Sequence, residues 1–282
     1  MKRIIVTGAG GLLGSDIVRI LSNKYEVIPI EGRKQLDLTD FMRTLDFVKQ
    51  VKPHALVHSA GIRDVDECEL DPIKAYRINV VSTRNLCLGA RLTNTNFMYI
   101  SSDSLFNGRV APYHEFSQPS PINVYGYTKW QAEKVVCSLM NNYYIIRTPM
   151  LFGRGRPQDN RVLQMIEELK KGKKFKASTD QITGPTYTQD VAEVISALLE
   201  TEYFGVYHVS NKGEASTYKF LVYVAEQLGL NSELITPLIS SQLRRPAPRP
   251  LHTTLISLYL EETIGINMQN WDEAVVRMLN EL

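Results

Sequence analysis

Two residues four apart, Tyr125 and Lys129, carry the clearest chemistry in this chain. In the run Asn123-Val124-Tyr125-Gly126-Tyr127-Thr128-Lys129 they share one face of a helix that the sequence continues through Trp130–Met140. An ammonium beside a phenol favours the phenolate. It draws the tyrosine from its ordinary pKa of ~10 towards the working pH, as a proton donor or acceptor requires. Tyr127 cannot take that part, because it stands two residues from Lys129 and points elsewhere. Taken alone, Tyr-x-x-x-Lys is also what a surface pair looks like. Here it follows an apolar run ending in Ser101-Ser102, which puts a hydroxyl at the carboxyl end of a strand, where open α/β sheets bind ligands.

A second chemical signal lies near the start. Val6-Thr7-Gly8-Ala9-Gly10-Gly11-Leu12-Leu13-Gly14 fails the register Gly-x-Gly-x-x-Gly at Leu13 and fits Gly-x-x-Gly-x-x-Gly through Gly8, Gly11 and Gly14. Glycine there permits a tight turn and lets the backbone come up against a pyrophosphate, while the helix that follows offers unpaired N–H groups. Glu31 closes the next strand 23 residues past Gly8, near the roughly 20 expected of a carboxylate that accepts ribose hydroxyls. Such a carboxylate repels a ribose phosphate and so favours NAD(H), whereas Arg33 could answer that phosphate and admit NADP(H). Asp37 with Leu38, in Leu36-Asp37-Leu38-Thr39-Asp40, offers an acceptor and an apolar face suited to an adenine.

The elements that must position these groups alternate in type. Strands are predicted at Arg3–Thr7, Glu26–Ile30, Ala55–Ser59, Asn96–Ser101 and Tyr143–Arg147, with a crossover helix first evident in the spacing of Leu13, Ile17, Ile20 and Leu21. After Arg147 the rhythm changes. Gly153-Arg154-Gly155-Arg156-Pro157 reads as a loop; helices are predicted at about Asn160–Lys171, Asp190–Glu200 and Ser216–Leu228, the second with a capping box from Asp190 and Glu193. A strand at Val206–Val209 is expected to rejoin the sheet. Arg244–Pro250, Arg-Arg-Pro-Ala-Pro-Arg-Pro, must be extended.

Composition narrows the class. In 282 residues, 32 Lys and Arg against 30 Asp and Glu give a net charge of +2, which argues against a nucleic-acid binder. With 44% hydrophobic and 22% charged residues the chain can build a core. No apolar run reaches the roughly 18 residues of a membrane span, and the glycines interrupt Ile4-Ile5-Val6 too early for a signal peptide. A cytoplasmic protein with no membrane partner is expected. Cys68, Cys87 and Cys137 lack disulfide or zinc spacing, and His54, His58, His114, His208 and His252 lack a metal-binding pattern, so no metal is expected. His252 lies in the expected substrate segment, though polar filling explains it better. Trp130 and Trp271 read as packing anchors, and Lys170-Lys171-Gly172-Lys173-Lys174 as a solvated helix end.

Ordered motifs along nearly the whole chain resemble one family. Beyond the glycine turn and Leu36–Asp40 they are Pro53–Glu69 (PHALVHSAGIRDVDECE), Ala75–Val80 (AYRINV), Ile100–Gly108 (ISSDSLFNG), Pro121–Glu133 (PINVYGYTKWQAE), Asp180-Gln181 with Gly184-Pro185-Thr186, and Arg249–Leu255 (RPLHTTL). On these the sequence is similar to the extended short-chain dehydrogenase/reductases and, within them, to the dTDP-4-dehydrorhamnose reductases. The resemblance implies hydride transfer from a nicotinamide to a sugar ketone, with Ser102 bonding the carbonyl oxygen, Tyr125 donating its proton, and Lys129 holding the nicotinamide ribose and tuning Tyr125. It implies Asn79 near the nicotinamide side, Leu12 and Leu13 with the glycines on the dinucleotide, and Ser59, Ala60 and Gly61 lining it at the third strand. Pro149 is implied near the nicotinamide amide, Arg63, Val65, Ser104 and Met150 on the sugar side, and Arg249 on the diphosphate. Departures fall on that sugar side: Ser104, Arg63 and Met150 stand where the family has Tyr, Thr and Trp.

The expected architecture is an α/β NAD(P)-binding Rossmann fold, a doubly wound parallel sheet over residues 1–152, with a smaller sugar-nucleotide region over 153–282. The expected reaction is NAD(P)H-dependent reduction of a nucleotide-linked 4-keto-6-deoxy sugar, first dTDP-4-dehydrorhamnose. The alternatives are an NAD-dependent sugar-nucleotide epimerase, and a regulatory subunit resembling the β subunit of methionine adenosyltransferase. A second copy of the chain is the protein partner considered.

Overall fold

A computed structural model describes residues 1–155 and 160–281; Arg156 and Pro157 of the predicted loop lie outside the described residues. Six strands form one sheet: β1 (Arg3–Thr7), β2 (Glu26–Ile30), β3 (Ala55–His58), β4 (Asn96–Ser102), β5 (Tyr143–Thr148) and β6 (Gly205–His208), in the order β6-β5-β4-β3-β1-β2. Every neighbouring pair is parallel. Parallel strands are covered on both faces, so they read as continuous apolar runs such as Ile4-Ile5-Val6 and Ala55-Leu56-Val57, all buried.

Helices α1 (Leu12–Leu21), α2 (Phe41–Val51), α3 (Ser82–Leu92), α4 (Val124–Leu139), α5 (Arg161–Lys170), α6 (Thr188–Leu198), α7 (Thr217–Gln227) and α8 (Trp271–Asn280) complete the main frame. α1 and α6 cover one face of the sheet, α3 and α4 with α2 the other. The chain leaves β1 through α1 towards β2 and returns through α2 to β3 on the other side. That reversal of strand order opens a crevice at the carboxyl ends of β1 and β3. Farther along, Ser102 of β4 lies in register with Thr148 of β5, so the predicted hydroxyl stands at the same edge.

The C-terminal region has its own core, in which Phe152, Met165, Tyr187, Phe220, Trp271 and Met278 pack together. The two halves are interleaved rather than divided at residue 152. Val191, Val194, Ile195 and Leu198 of α6 pack into the first core, and β6 pairs with β5 as expected. The predicted capping box is absent: α6 starts two residues earlier, after Tyr187, and the Asp190 carboxylate instead accepts bonds from Arg277 (2.5 and 2.7 Å) and Asn211 (2.8 Å). Gly229 follows α7 at φ +64°, the left-handed conformation that ends a helix.

Under the carboxyl edge of the sheet lies a buried ion pair. Arg147 of β5 donates to Glu133 of α4 through Nε (3.0 Å) and Nη2 (2.8 Å), with both side chains less than 8% exposed. His208 packs beside them and is held by burial at a pKa of about 4, so it is a neutral filler. Among the described residues no helix is long and apolar enough to cross a membrane.

Candidate active site

A cleft of about 950 Å³ runs along the carboxyl edge of the sheet, between it and the C-terminal region. Its walls include the residues expected on the dinucleotide, Gly8, Gly11, Leu12, Leu13, Gly14, Glu31, Asp37, Leu38, Ser59, Ala60, Gly61 and Pro149, and those expected on the substrate, Arg63, Val65, Ser104, Met150 and Arg249. Ser102, Tyr125 and Lys129 stand in the same cleft. Asn79 does not line it.

The glycine turn fits a pyrophosphate. Gly11 caps α1 without any side-chain bond, and the first turn holds no acid, so the leading N–H groups keep their positive potential for a ligand. By contrast, Asp40 caps α2 by accepting from the Arg43 N–H at 3.1 Å. A Cβ on Gly14 would lie 2.0 Å from the Gly8 carbonyl oxygen, which forces glycine where helix and turn close on each other. At the cleft floor the buried hydroxyls of Ser101 and Thr148 have no partner among the described residues, a vacancy in bonding that suits a polar ligand.

The adenosine end departs from expectation at Asp37. Its carboxylate is engaged on both oxygens, accepting from Arg33 Nη2 (2.6 Å) and from the Thr39 hydroxyl (2.7 Å) and N–H (3.0 Å), and these bonds hold it down at a pKa of about 2. The acceptor offered to an adenine is thus already committed within the protein.

Ser102, Tyr125 and Lys129 are assembled from a strand end and a helix start. Asn123 caps α4 by accepting from the Gly126 N–H (2.8 Å), and Gly126 sits so close to β4's exit that a Cβ there would lie 2.0 Å from the Ser104 carbonyl oxygen. Tyr125 is thereby set against Ser102. Burial pushes the phenol up to about 12; the Ser102 hydroxyl pulls it down and the Asp103 carboxylate pushes it up. Ser102 donates to Asp103 (3.2 Å) and accepts from the Ser104 N–H (3.1 Å).

Lys129 does not do what its spacing suggests. Nζ donates to the Ile100 carbonyl (2.5 Å) and lies 4.3 Å from the centroid of the Tyr99 ring, and burial, Ser102 and Asp103 shift the phenol more than it does. Burial brings its own pKa from 10.5 down to about 7, with Glu133 opposing. Between pH 7 and 10.5 the folded protein has therefore released a proton that the unfolded chain keeps, so stability rises with pH across that window, and the cost of burial is full below it. Lys129→Met is expected to be more stable than the parent at pH 7 and to lose that advantage as pH climbs towards 10. Urea denaturation at several pH values measures it; an advantage that stays constant would contradict the depressed pKa.

Asn79 holds the loop rather than the ligand. Its amide accepts from the Ile62 N–H (2.8 Å) and donates to the Ile62 carbonyl (3.2 Å) and the Thr128 hydroxyl (3.0 Å), tying the end of β3 to the residue before Lys129. It lies in a π-helical turn, Arg77–Val81. Arg249, expected to meet a diphosphate, lines the cleft, is paired with Asp66 (2.9 Å) and donates to the Ala247 carbonyl (2.8 Å).

Several wall residues carried no separate signal of their own. Asp103, inside the Ile100–Gly108 motif, accepts from the Thr253 (2.5 Å) and Thr183 (3.1 Å) hydroxyls, and burial raises its pKa despite them. It fastens the strand end at Thr183 and the segment at Thr253 to the carboxyl edge of the sheet. Arg161 and Arg245 also reach the cleft. Arg161 looks in sequence like any cation on an exposed helix face, and only the packing of α5 against the cleft distinguishes it.

Comparison with known proteins agrees with this geometry. The model of the RmlD substrate binding domain matches residues 1–282. The spore coat polysaccharide biosynthesis protein SpsK of Bacillus subtilis (strain 168) is 32% identical, over 100% of this chain and 98% of its own. The crystal structure of dTDP-4-dehydrorhamnose reductase from Bacillus anthracis str. Ames in complex with NADP superposes with a TM-score of 0.95 at 32% identity, covering 100% of both chains. A dTDP-4-dehydrorhamnose reductase of Clostridium acetobutylicum ATCC 824 gives 0.93 at 32%, covering 99% of each. Matched from its first residue to its last, with the glycine turn and the Ser-Tyr-Lys group in one cleft, the chain belongs to the RmlD substrate binding domain family.

Proposed function

We propose that the protein is an NAD(P)H-dependent oxidoreductase that reduces a nucleotide-linked 4-keto-6-deoxy sugar, with dTDP-4-dehydrorhamnose the first candidate. The observation that carries this reading is the meeting of Tyr125 and Ser102 in a cleft whose other end is an uncapped helix N-terminus. Relatives named for that reduction support it.

The glycine turn and α1 would hold the dinucleotide's pyrophosphate, Glu31 its adenosine ribose, Ser59, Ala60 and Gly61 its middle, and Lys129 with Pro149 the nicotinamide end. A reduced nicotinamide, when bound, supplies the hydride. Tyr125 gives its proton to the ketone oxygen as the alcohol forms, and its high pKa keeps it protonated for that purpose. Ser102 must swing its proton off Asp103 to donate to the same oxygen. Lys129, turned to the Ile100 carbonyl in this structure, supports Tyr125 once it reaches across to a ribose. Assaying NADH and NADPH oxidation at 340 nm with a panel of 4-keto sugar nucleotides tests the reading; no turnover with any of them would overturn it. Neither the epimerase nor the regulatory alternative is favoured over this reading.

On the coenzyme, Glu31 supports NADH, while Arg33 is tied to Asp37. Glu31→Ala is expected to raise the KM for NADH several-fold more than that for NADPH, since the ribose hydroxyls lose an acceptor while a ribose phosphate loses a repeller. Steady-state kinetics with both coenzymes checks this, and equal effects would remove Glu31 from the choice.

A further inference from the structure

The residue in front of α4 does two things with one side chain. Asn123 is 6% exposed, and its amide oxygen accepts from the Gly126 N–H (2.8 Å), capping the helix that carries Tyr125. Its amide nitrogen donates to the Pro248 carbonyl (3.0 Å), 125 residues along the chain. Both partners are backbone groups of fixed polarity, one a donor and one an acceptor, so a single orientation of the amide serves them. Capping alone asks for nothing so specific. Serine and aspartate cap as well as asparagine, and neither then has a second arm that donates.

The carbonyl that Asn123 holds lies in the proline-framed segment, whose Arg245, Arg249 and Pro250 line the cleft. Pro246, Pro248 and Pro250 have no N–H, so this segment cannot fasten itself through its own backbone and depends on groups from outside. The short helix Val65–Leu70 grips the same two elements. Asp66 accepts from the Ala247 N–H (3.1 Å) and pairs with Arg249 (2.9 Å), while Glu69 accepts from the N–H of Val124 (3.0 Å), the first residue of α4. A wall of the cleft and the start of the Tyr125 helix are thereby joined twice, once directly and once through a neighbour. We propose that Asn123 is a positioning residue for the substrate: its amide nitrogen keeps the Arg244–Pro250 wall in register with the Tyr125 phenol, so that a sugar nucleotide seated against that wall meets the proton donor. The inference rests on the reductase reading for the substrate and for the part of Tyr125, but the latch itself is tested without turnover.

Asn123→Asp and Asn123→Ser keep the cap and remove the donor, and in the first a carboxylate oxygen faces the Pro248 carbonyl. Amide exchange on the ligand-free full chain, followed by mass spectrometry, is expected to quicken several-fold over residues 245–252 in both variants and to stay parental in the first turns of α4. Calorimetry is expected to show dTDP bound about three- to tenfold more weakly, with NADPH binding unchanged. With a 4-keto sugar nucleotide that the parent reduces, KM rises by that factor and kcat falls less, whereas Asn123→Ala, which loses the cap as well, lowers kcat too. Unchanged dTDP affinity in both variants would overturn the proposal whatever the exchange shows. So would an equal loss of NADPH binding, which marks a general loosening rather than a latch. Parental exchange and dTDP affinity in a protein that reduces a 4-keto sugar nucleotide defeat this inference alone. Faster exchange and weaker dTDP in a protein that reduces none defeat the functional reading alone, and a parent that binds no dTDP defeats both.

Discussion

Tyr125→Phe is expected to lower kcat by about 10²- to 10⁴-fold, the range typical of a lost general acid, with coenzyme affinity nearly unchanged. The substitution removes one oxygen and keeps the ring, so the packing of α4 against β4 is preserved. The parent's phenol is pushed up to about 12, so the parent is protonated at any ordinary pH and its rate should not fall off on the alkaline side through Tyr125 until pH approaches that value. Stopped-flow and steady-state oxidation of NADPH, with coenzyme binding followed by fluorescence quenching, separate the two effects. A variant that turns over at the parental rate would remove Tyr125 from the chemistry and leave Ser102 without its partner.

The second large effect concerns stability. Glu133→Leu leaves the Arg147 guanidinium buried with no carboxylate, although its Nη1 still reaches the Glu115 carbonyl (3.2 Å). Breaking one side of a buried pair typically costs about 3–5 kcal/mol, a large share of the roughly 5–15 kcal/mol that holds a domain together. Removing both charges, as in Glu133→Leu with Arg147→Met, is expected to recover most of that loss, because the desolvation of two ions is no longer required. Urea titrations of the parent, the single variant and the double variant decide it; a double variant as unstable as the single one would mean that the loss is one of shape rather than charge. Glu133 also lies one turn beyond Lys129 and opposes the lowering of its pKa, so the single variant should shift the Lys129 titration further down.

The sheet was legible because its central strands are buried on both faces. Ile4-Ile5-Val6 and Ala55-Leu56-Val57 have no alternation to confuse with a half-exposed strand, and β1, β2 and the core of β5 stand where the apolar runs place them. The cleft was legible for a related reason: glycines and strand-end hydroxyls are local signals that a parallel sheet brings to one edge. What escaped depends on partners distant in the chain. Asp190 looks like a helix cap until Arg277, far along the sequence, takes its carboxylate. Lys129 looks like a neighbour of the Tyr125 phenol until the Ile100 carbonyl, across the junction with β4, takes its ammonium. Asn79 reads as a site residue because it lies in a motif, and the motif turns out to brace the Ile62 loop. Arg161 and Arg245 are separated by most of the C-terminal region, and no spacing rule joins them.

The contact at Gly126 bears on motion. With the helix backbone seated directly on the Ser104 carbonyl, the strand end bearing Ser102 and the helical turn bearing Tyr125 travel as one body, their separation fixed by main chain rather than by rotamer choice. Adjustment to sugars of different shape must then come from across the cleft, beyond the point where Thr183 and Thr253 are tied to Asp103. On the proposed reading the groups for proton transfer are thus held by main chain, and fitting the substrate falls to side chains across the cleft.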